Sequence, residues 1–368
     1  MKTYLKQVYS VLLYFGITSQ CAAQTQTTPC NFQCVVVSAK KVDKNYQLPD
    51  SPVVTEPKPK DPPAPEPKVK KSTSISSFDR FLNENLSKYD NNVVVTVCND
   101  TMVYNYQNGI YGRDERLPIA SCAKWLTGAT IMTLVEAGKL NLGDKVSKYI
   151  PSFAQNDKSE ITIRQIFSHT SGLIADSPYD FASGTLAEAV DNIALNTSLS
   201  FRPGTSEAYS SASFKVASRV AEIVEGKSWA QIFKERITDK CGMSNTDYPT
   251  ENPHTGAWAL STMNDYLKFL EMMHNYGKYK GVVVLSQASI QEMEKDQSNG
   301  INSVYGLGMW RFVIVNNTAQ EVAGLSARGV HGWVNREKKY FGLIFTQAGF
   351  DNTINPNQDF RSLVRNTF

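Results

Sequence analysis

Cysteine and histidine are scarce in this chain of 368 residues, with six Cys and four His. The histidines (His169, His254, His274, His331) are scattered. No Cys/His group has zinc-ligand spacing, so the sequence offers no metal site and calls for no cofactor. A set of cysteines this sparse is not a disulfide framework. Charge of one sign is nearly absent too: 38 Lys+Arg against 35 Asp+Glu leave a net charge of +3. With no basic stripe interleaved with aromatics, nucleic acid is excluded as a partner. No apolar run reaches the ~20 residues needed to span a bilayer. Internal repeats are missing. So is a Gly-x-Ser-x-Gly elbow: Gly324-Leu325-Ser326-Ala327-Arg328 misses the second Gly, which argues against an ordinary α/β-hydrolase.

What is present is ordinary globular composition, 41% hydrophobic and 20% charged with 22 Gly and 16 Pro. That excludes a wholly disordered, collagen-like or coiled-coil chain. Residues 1–23 read as a secretory signal peptide. Lys2 and Lys6 precede the short apolar run Val8 to Ile17, and Cys21-Ala22-Ala23 offers a cleavage site. Acylation of Cys21 is the alternative, and the bulky Gln20 before it argues against lipid anchoring. The mature protein is therefore expected to be exported, periplasmic or otherwise extracytoplasmic. It would keep Cys30, Cys34, Cys98, Cys122 and Cys241; Cys30 and Cys34 are close enough to pair, and two unpaired thiols are the equal alternative.

Residues 24–48 form a short N-terminal arm and residues 49–75 a Pro/Lys-rich linker. Eight Pro between Pro49 and Pro67 favour extended conformations that cannot bury a core. Such a spacer would hold the remainder away from whatever the arm touches, an envelope surface being the candidate partner. The basic cluster Lys68-Val69-Lys70-Lys71 reads as solvated linker.

Residues 76–368 are globular sequence. Phe78, Phe81, Leu82 and Leu86 predict a helix over Ser76–Tyr89. Val93–Val97 and Met102–Tyr104, split by Asn99-Asp100, predict a hairpin. Helices are expected from Ser121 to Gly138 and over Leu186–Ala194, Ser213–Val224, Asn264–Asn275 and Gln358–Arg365. Strands are expected over Met309–Val315, Gly329–Asn335 and Tyr340–Thr346. Strands at both ends with helices between imply an α+β fold: an antiparallel sheet built from both chain ends, helices on its faces and an inserted helical region.

The chemistry concentrates at Ser121-Cys122-Ala123-Lys124. Residues three apart on a helix share a face. A serine hydroxyl becomes a nucleophile when a base takes its proton, and lysine can be that base if its surroundings keep it neutral. The spacing alone says little, because Ser38–Lys41 repeats it ahead of the spacer; the bland alternative for Ser121 is a helix cap with a solvent-facing Lys. Cys122, one step round the helix, is expected to be packed rather than nucleophilic, and Trp125 to belong to the core.

The wider pattern is more specific. Leu117-Pro118-Ile119-Ala120 precedes Ser121, and Leu134-Val135-Glu136-Ala137-Gly138-Lys139-Leu140 follows. Then come Ser168-His169-Thr170-Ser171-Gly172-Leu173, Arg202-Pro203-Gly204, Tyr209-Ser210-Ser211, Gly242-Met243, Ser261-Thr262-Met263-Asn264-Asp265-Tyr266 and Tyr305-Gly306-Leu307-Gly308. In order and spacing, from about Phe78 to Phe350, this resembles the serine β-lactamase and penicillin-binding-protein superfamily, on the side of the class C β-lactamases, DD-peptidases and related esterases. The resemblance implies a β-lactamase/transpeptidase-like fold and acyl-serine chemistry on a small-molecule or peptide substrate. Ser121 would be the nucleophile, Lys124 the base and Tyr209 the proton shuttle, with two backbone N–H groups holding the oxyanion. His169 and Ser171 would be turn residues.

Two departures stand out. Ser211 occupies the place where the family usually has Asn, and a hydroxyl offers a substrate amide less than a carboxamide does. The third motif, a cation-Thr-Gly strand, falls near Ala323-Gly324-Leu325-Ser326, where no cation stands. Ser211, Gly324 and Ser326 are auxiliary substrate-binding candidates on these matches, together with His331 of the later His331-Gly332; Arg328 could supply the missing charge from a neighbouring position. An eroded third motif favours esterase or peptidase activity over strong β-lactamase activity. It also motivates the alternative, a catalytically weak or inactive ligand-binding or sensor domain on the same fold. A third idea makes the N-terminal arm itself a partner-binding module.

Overall fold

The structure, a computed structural model, describes residues 75–368 apart from residue 176. The signal, the arm with Cys30 and Cys34, and the linker up to residue 74 lie outside the described residues. Helix α1 (Ser76–Glu84) gives way to a 3-10 turn over Leu86–Tyr89 rather than continuing as one helix. Asn85 breaks it: its side-chain amide donates to the Phe81 carbonyl at 2.9 Å, a local competitor of helical bonding. Strands β1 (Val93–Asn99) and β2 (Val103–Asn108) form the expected hairpin.

The inserted region follows. Strand β3 (Leu117–Pro118) leads through a 3-10 turn, Ala120–Cys122, into α2 (Ala123–Glu136). Helix α2 is buried on every side over most of its length, the mark of a central helix. Helices α3 (Ile163–Phe167) and α4 (Leu186–Asn196) each start at a capping box, Thr162 with Gln165 and Thr185 with Glu188. Helices α5 (Ala212–Glu225) and α6 (Trp229–Phe233) come next. Strand β4 (Leu260–Ser261) pairs with β3 and is followed by α7 (Met263–His274). Strands β5 (Lys278–Tyr279) and β6 (Val282–Val283) pair, and α8 (Gln287–Met293) follows.

The chain then returns to the sheet with β7 (Trp310–Val315), β8 (Thr318–Leu325), β9 (His331–Asn335) and β10 (Tyr340–Phe345), and closes with α9 (Phe350–Thr367). The order is β2-β1-β10-β9-β8-β7, antiparallel throughout. Val94 of β1 lies opposite Phe345 of β10, so the two chain ends meet in mid-sheet as expected. Helix α9 starts well before the expected Gln358 and runs through Pro356; burial of Ile354, Pro356, Phe360 and Val364 outweighs the missing N–H.

Helices cover both faces. Phe78 of α1 packs edge-on against Tyr104 of β2 and Phe360 of α9, at 5.2 and 5.3 Å between centroids. On the other face, β8 and β9 press so closely on α2 and α7 that side chains are excluded. A Cβ on Gly332 would lie 2.8 Å from Tyr266, and one on Gly324 would lie 3.2 Å from the Tyr266 hydroxyl and 3.4 Å from Cys122 Sγ.

Candidate active site

Ser121 sits in the 3-10 turn that feeds α2. Ala120 before it adopts φ 43°, a left-handed conformation that a non-glycine residue holds only when its surroundings insist. They do insist: the Ile119 N–H donates to the Ala259 carbonyl at 3.0 Å and the Cys122 N–H to Ile119 at 3.1 Å. The N-cap of α2 is Cys122, with no side-chain cap bond, so Ser121 Oγ is not consumed in capping.

Lys124 is completely buried rather than facing solvent. Its Nζ donates to the Gly256 carbonyl at 2.6 Å, to Ser211 Oγ at 2.8 Å and to Ser121 Oγ at 3.3 Å. It also lies 4.4 Å from the centre of the Tyr209 ring and 5.4 Å from that of Phe214. The structure thus gathers Ser121, Lys124, Tyr209 and Ser211 around one ammonium group, from a turn, a helix and the segment entering α5. Ser211 is spent on Lys124 in this arrangement.

Tyr209 is partly exposed, stacked at 6.0 Å on Trp310 and 4.3 Å from the His169 ring. Burial raises its phenol well above the ordinary tyrosine range, with hydrogen bonding from Ser121 and Tyr305 acting in the opposite direction. The phenol therefore carries its proton at neutral pH. His169 is buried, with φ 61°, in the turn that ends α3, where the Thr170 N–H donates to the Gln165 carbonyl at 2.9 Å. Its Nδ1 accepts the Ser210 N–H at 3.1 Å and its carbonyl accepts the Ala208 N–H at 2.9 Å. Burial first, then the charge of Lys124, hold the imidazole neutral, far below its usual pKa.

Cys122 is buried, its thiol facing the Val330 carbonyl at 3.4 Å and pushed up to about 12 by burial. Trp125 is a core residue, edge-on to Phe269 at 5.6 Å. Ser171 accepts the Leu173 N–H at 3.3 Å within its turn.

The third-motif region is rearranged. Gly324 faces Cys122, Trp125 and Tyr266, so its bare face is filled by packing. Ser326 Oγ accepts the Arg328 and Val330 N–H groups at 3.2 and 3.1 Å, fastening the turn between β8 and β9. His331 does not line the site. Strand alternation puts Gly332 towards α7, so His331 faces α9, where its Nε2 lies 3.3 Å from Arg361. Arg328 is exposed on the turn, with its guanidinium 5.9 Å from the Trp258 ring.

Residue type could not point to the Gly256 carbonyl, since every residue has one. Tyr305 and Trp310 also escaped notice as walls around Tyr209; the Tyr305-Gly306-Leu307-Gly308 motif was the available signal.

An antiparallel sheet built from both chain ends, with a helical insertion, defines the class of this molecule as a β-lactamase-like fold. The chain belongs to the Beta-lactamase family, whose pattern it matches over residues 84–362. It is similar to a structure from Bacteroides dorei DSM 17855 solved as a candidate beta-lactamase, at 26% identity and a TM-score of 0.70, covering 74% of this chain and 90% of that one. It is also 33% identical over 135 residues to penicillin-binding protein 4 of Amycolatopsis lactamdurans, covering 35% of each chain. The D-alanyl-D-alanine-carboxypeptidase/endopeptidase AmpH of Escherichia coli K12 is 29% identical over 143 residues, covering 37% of each. The matches span little more than a third of these curated relatives. Among the described residues no helix is long and apolar enough to cross a membrane.

Proposed function

We propose that the protein is an exported serine hydrolase that forms an acyl-enzyme on an ester or amide. The observation that carries this reading is Lys124 Nζ, buried and 3.3 Å from Ser121 Oγ while 4.4 Å from the Tyr209 ring. Lys124, an ammonium at rest, first gives a proton to solvent; Ser121 Oγ then attacks the substrate carbonyl carbon and its proton passes to the neutral Lys124 amine. Tyr209, which keeps its proton at neutral pH, passes a proton to the departing alkoxide or amine and is re-protonated from Lys124. Water then cleaves the acyl ester and restores Ser121. The Ser121 N–H and the end of β8, which packs beside the Ala120–Cys122 turn, are the oxyanion donors of this scheme.

Esterase or peptidase chemistry is favoured over strong β-lactamase activity, because Ala323, Gly324 and Leu325 bring no cation to the third-motif position. The relation to a penicillin-binding protein and a D-alanyl-D-alanine carboxypeptidase agrees with amide or ester substrates.

The test is intact mass after exposure to a fluorophosphonate and to benzylpenicillin, in wild type and Ser121→Ala. A Ser121-dependent adduct with either probe is expected. Folded protein that takes neither adduct would instead be a ligand-binding domain that has kept the fold.

A further inference from the structure

Two segments touch the Ser121–Lys124 turn. One is the stretch before β4: Gly256 accepts from Lys124 Nζ and Ala259 accepts from the Ile119 N–H. The other is the turn between β8 and β9, whose Val330 carbonyl receives the Cys122 thiol. The first presents the exposed Trp258 between its anchors, and the second exposes Ala327 and Arg328. Trp258 and Arg328 meet, with the guanidinium 5.9 Å from the indole centre. Phe181 completes the group, edge-on to Trp258 at 6.0 Å and resting on His254 at 4.7 Å. Phe181 is 72% exposed and Trp258 39%, so neither serves the core. Arg328 has no carboxylate partner among the described residues.

An exposed arginine whose guanidinium lies 5.9 Å from an indole centre is within cation–π reach and keeps its N–H groups for a planar anion. Exposed rings beside it offer a face for a flat apolar group. The position at which the strand itself lacks a cation, Ala323–Leu325, is followed by Arg328 on the adjoining turn.

We infer that Arg328, Trp258 and Phe181 form the selecting rim of the Ser121 site. The preferred substrate carries a carboxylate next to an aromatic or other flat apolar group, the carboxylate on Arg328 and the apolar group on Trp258 and Phe181. The substrate part of this inference rests on the acyl-serine reading; the ligand-recognition part does not.

The experiment therefore has two arms. In the first, a pair of chromogenic phenyl-bearing esters, differing only in a free carboxylate against its methyl ester, is hydrolysed by wild type, Arg328→Gln, Arg328→Lys, Trp258→Ala and Ser121→Ala. Wild type is expected to favour the acid by about tenfold or more in kcat/KM, the size of a charge-assisted bidentate contact. Arg328→Gln should bring that ratio towards one through KM, and Arg328→Lys should recover only part. Trp258→Ala should raise KM for both esters. In the second arm, calorimetry on Ser121→Ala compares 4-phenylbutyrate with 4-phenylbutyramide, and Arg328→Gln in that background should remove the preference for the acid. Equal ratios in wild type and Arg328→Gln, with Ser121-dependent hydrolysis intact, would overturn the rim and leave the acyl-serine reading standing. Hydrolysis that ignores Ser121→Ala, with an Arg328-dependent binding preference, would do the reverse.

Discussion

His169 grips the chain on both sides of Tyr209. Its carbonyl takes the Ala208 N–H at 2.9 Å, its Nδ1 takes the Ser210 N–H at 3.1 Å, and its ring lies 4.3 Å from the tyrosine ring between them. Because Nδ1 accepts, the imidazole proton sits on Nε2. This histidine is a positioning residue for Tyr209, with no need to exchange a proton itself.

Loosening that grip should lower turnover more than binding. His169→Ala is expected to reduce kcat by about a hundredfold with little change in KM, as for a catalytic group displaced by about 1 Å. In a Tyr209→Phe background the same change should cost little more, because its target is already gone. Steady-state kinetics of the single and double variants on an ester decide this; full additivity would refute the positioning role.

The buried imidazoles of His169 and His331 make stability fall on acidification. Both have pKa values well below 6.5, His169 from burial and Lys124, His331 from burial and Arg361. Below that value the unfolded chain binds protons that the folded chain refuses, so each contributes up to ~1.4 kcal/mol of lost stability per pH unit. Urea midpoints from about pH 7 to about pH 5 should slope less in His331→Gln than in wild type. Identical slopes would mean that His331 titrates alike in both states.

Gly256→Ala is expected to disable the site without touching any side chain in it. The added Cβ would stand 2.7 Å from the Ser211 carbonyl and 3.0 Å from its Cα, forcing the segment away from Lys124. Loss of the 2.6 Å acceptor should let the ammonium wander, lowering kcat and the fluorophosphonate labelling rate by about tenfold or more. Unchanged labelling would show that this carbonyl has no part in aligning Lys124.

On the far face of the sheet, Glu321 is fully buried against Arg361 at 3.0 Å, Arg365 at 2.7 Å and Asn335 at 2.9 Å. Glu321→Gln leaves two guanidinium groups short of their counter-charge. It should cost about 3 kcal/mol of stability, read from the denaturation midpoint, and leave kcat of the folded enzyme unchanged. A matching fall in kcat would place this cluster in contact with the chemistry.

The same glutamate explains what sequence reading missed. The hairpin β1–β2 and strands β7 and β10 announce themselves by runs of Val, Ile, Phe and Tyr, and β9 more faintly by Trp333-Val334. Strand β8 does not: Thr318-Ala319-Gln320-Glu321-Val322-Ala323-Gly324-Leu325 has three polar residues, a glycine and no alternation. Its Glu321 is tolerated because Arg361 and Arg365 arrive from α9, a pairing invisible along the chain. At the site, the spacing of Ser121 and Lys124 and the family-like order of motifs led to the residues the structure brings together. The face of His331 was unreadable without the register of β9 against β10, since a shift of one residue reverses every side chain.

The pairing of β1 with β10 also sets the timing of folding. Val94 and Phe345 are separated by most of the domain, so β10 is made long after β1. A chain emerging from the ribosome cannot close this sheet until its final strand exists, so β1 and β2 must wait as an unpartnered hairpin. Nor can truncation shortly before Tyr340 yield a smaller folded domain: it would strip β1 of the neighbour that seats it in mid-sheet.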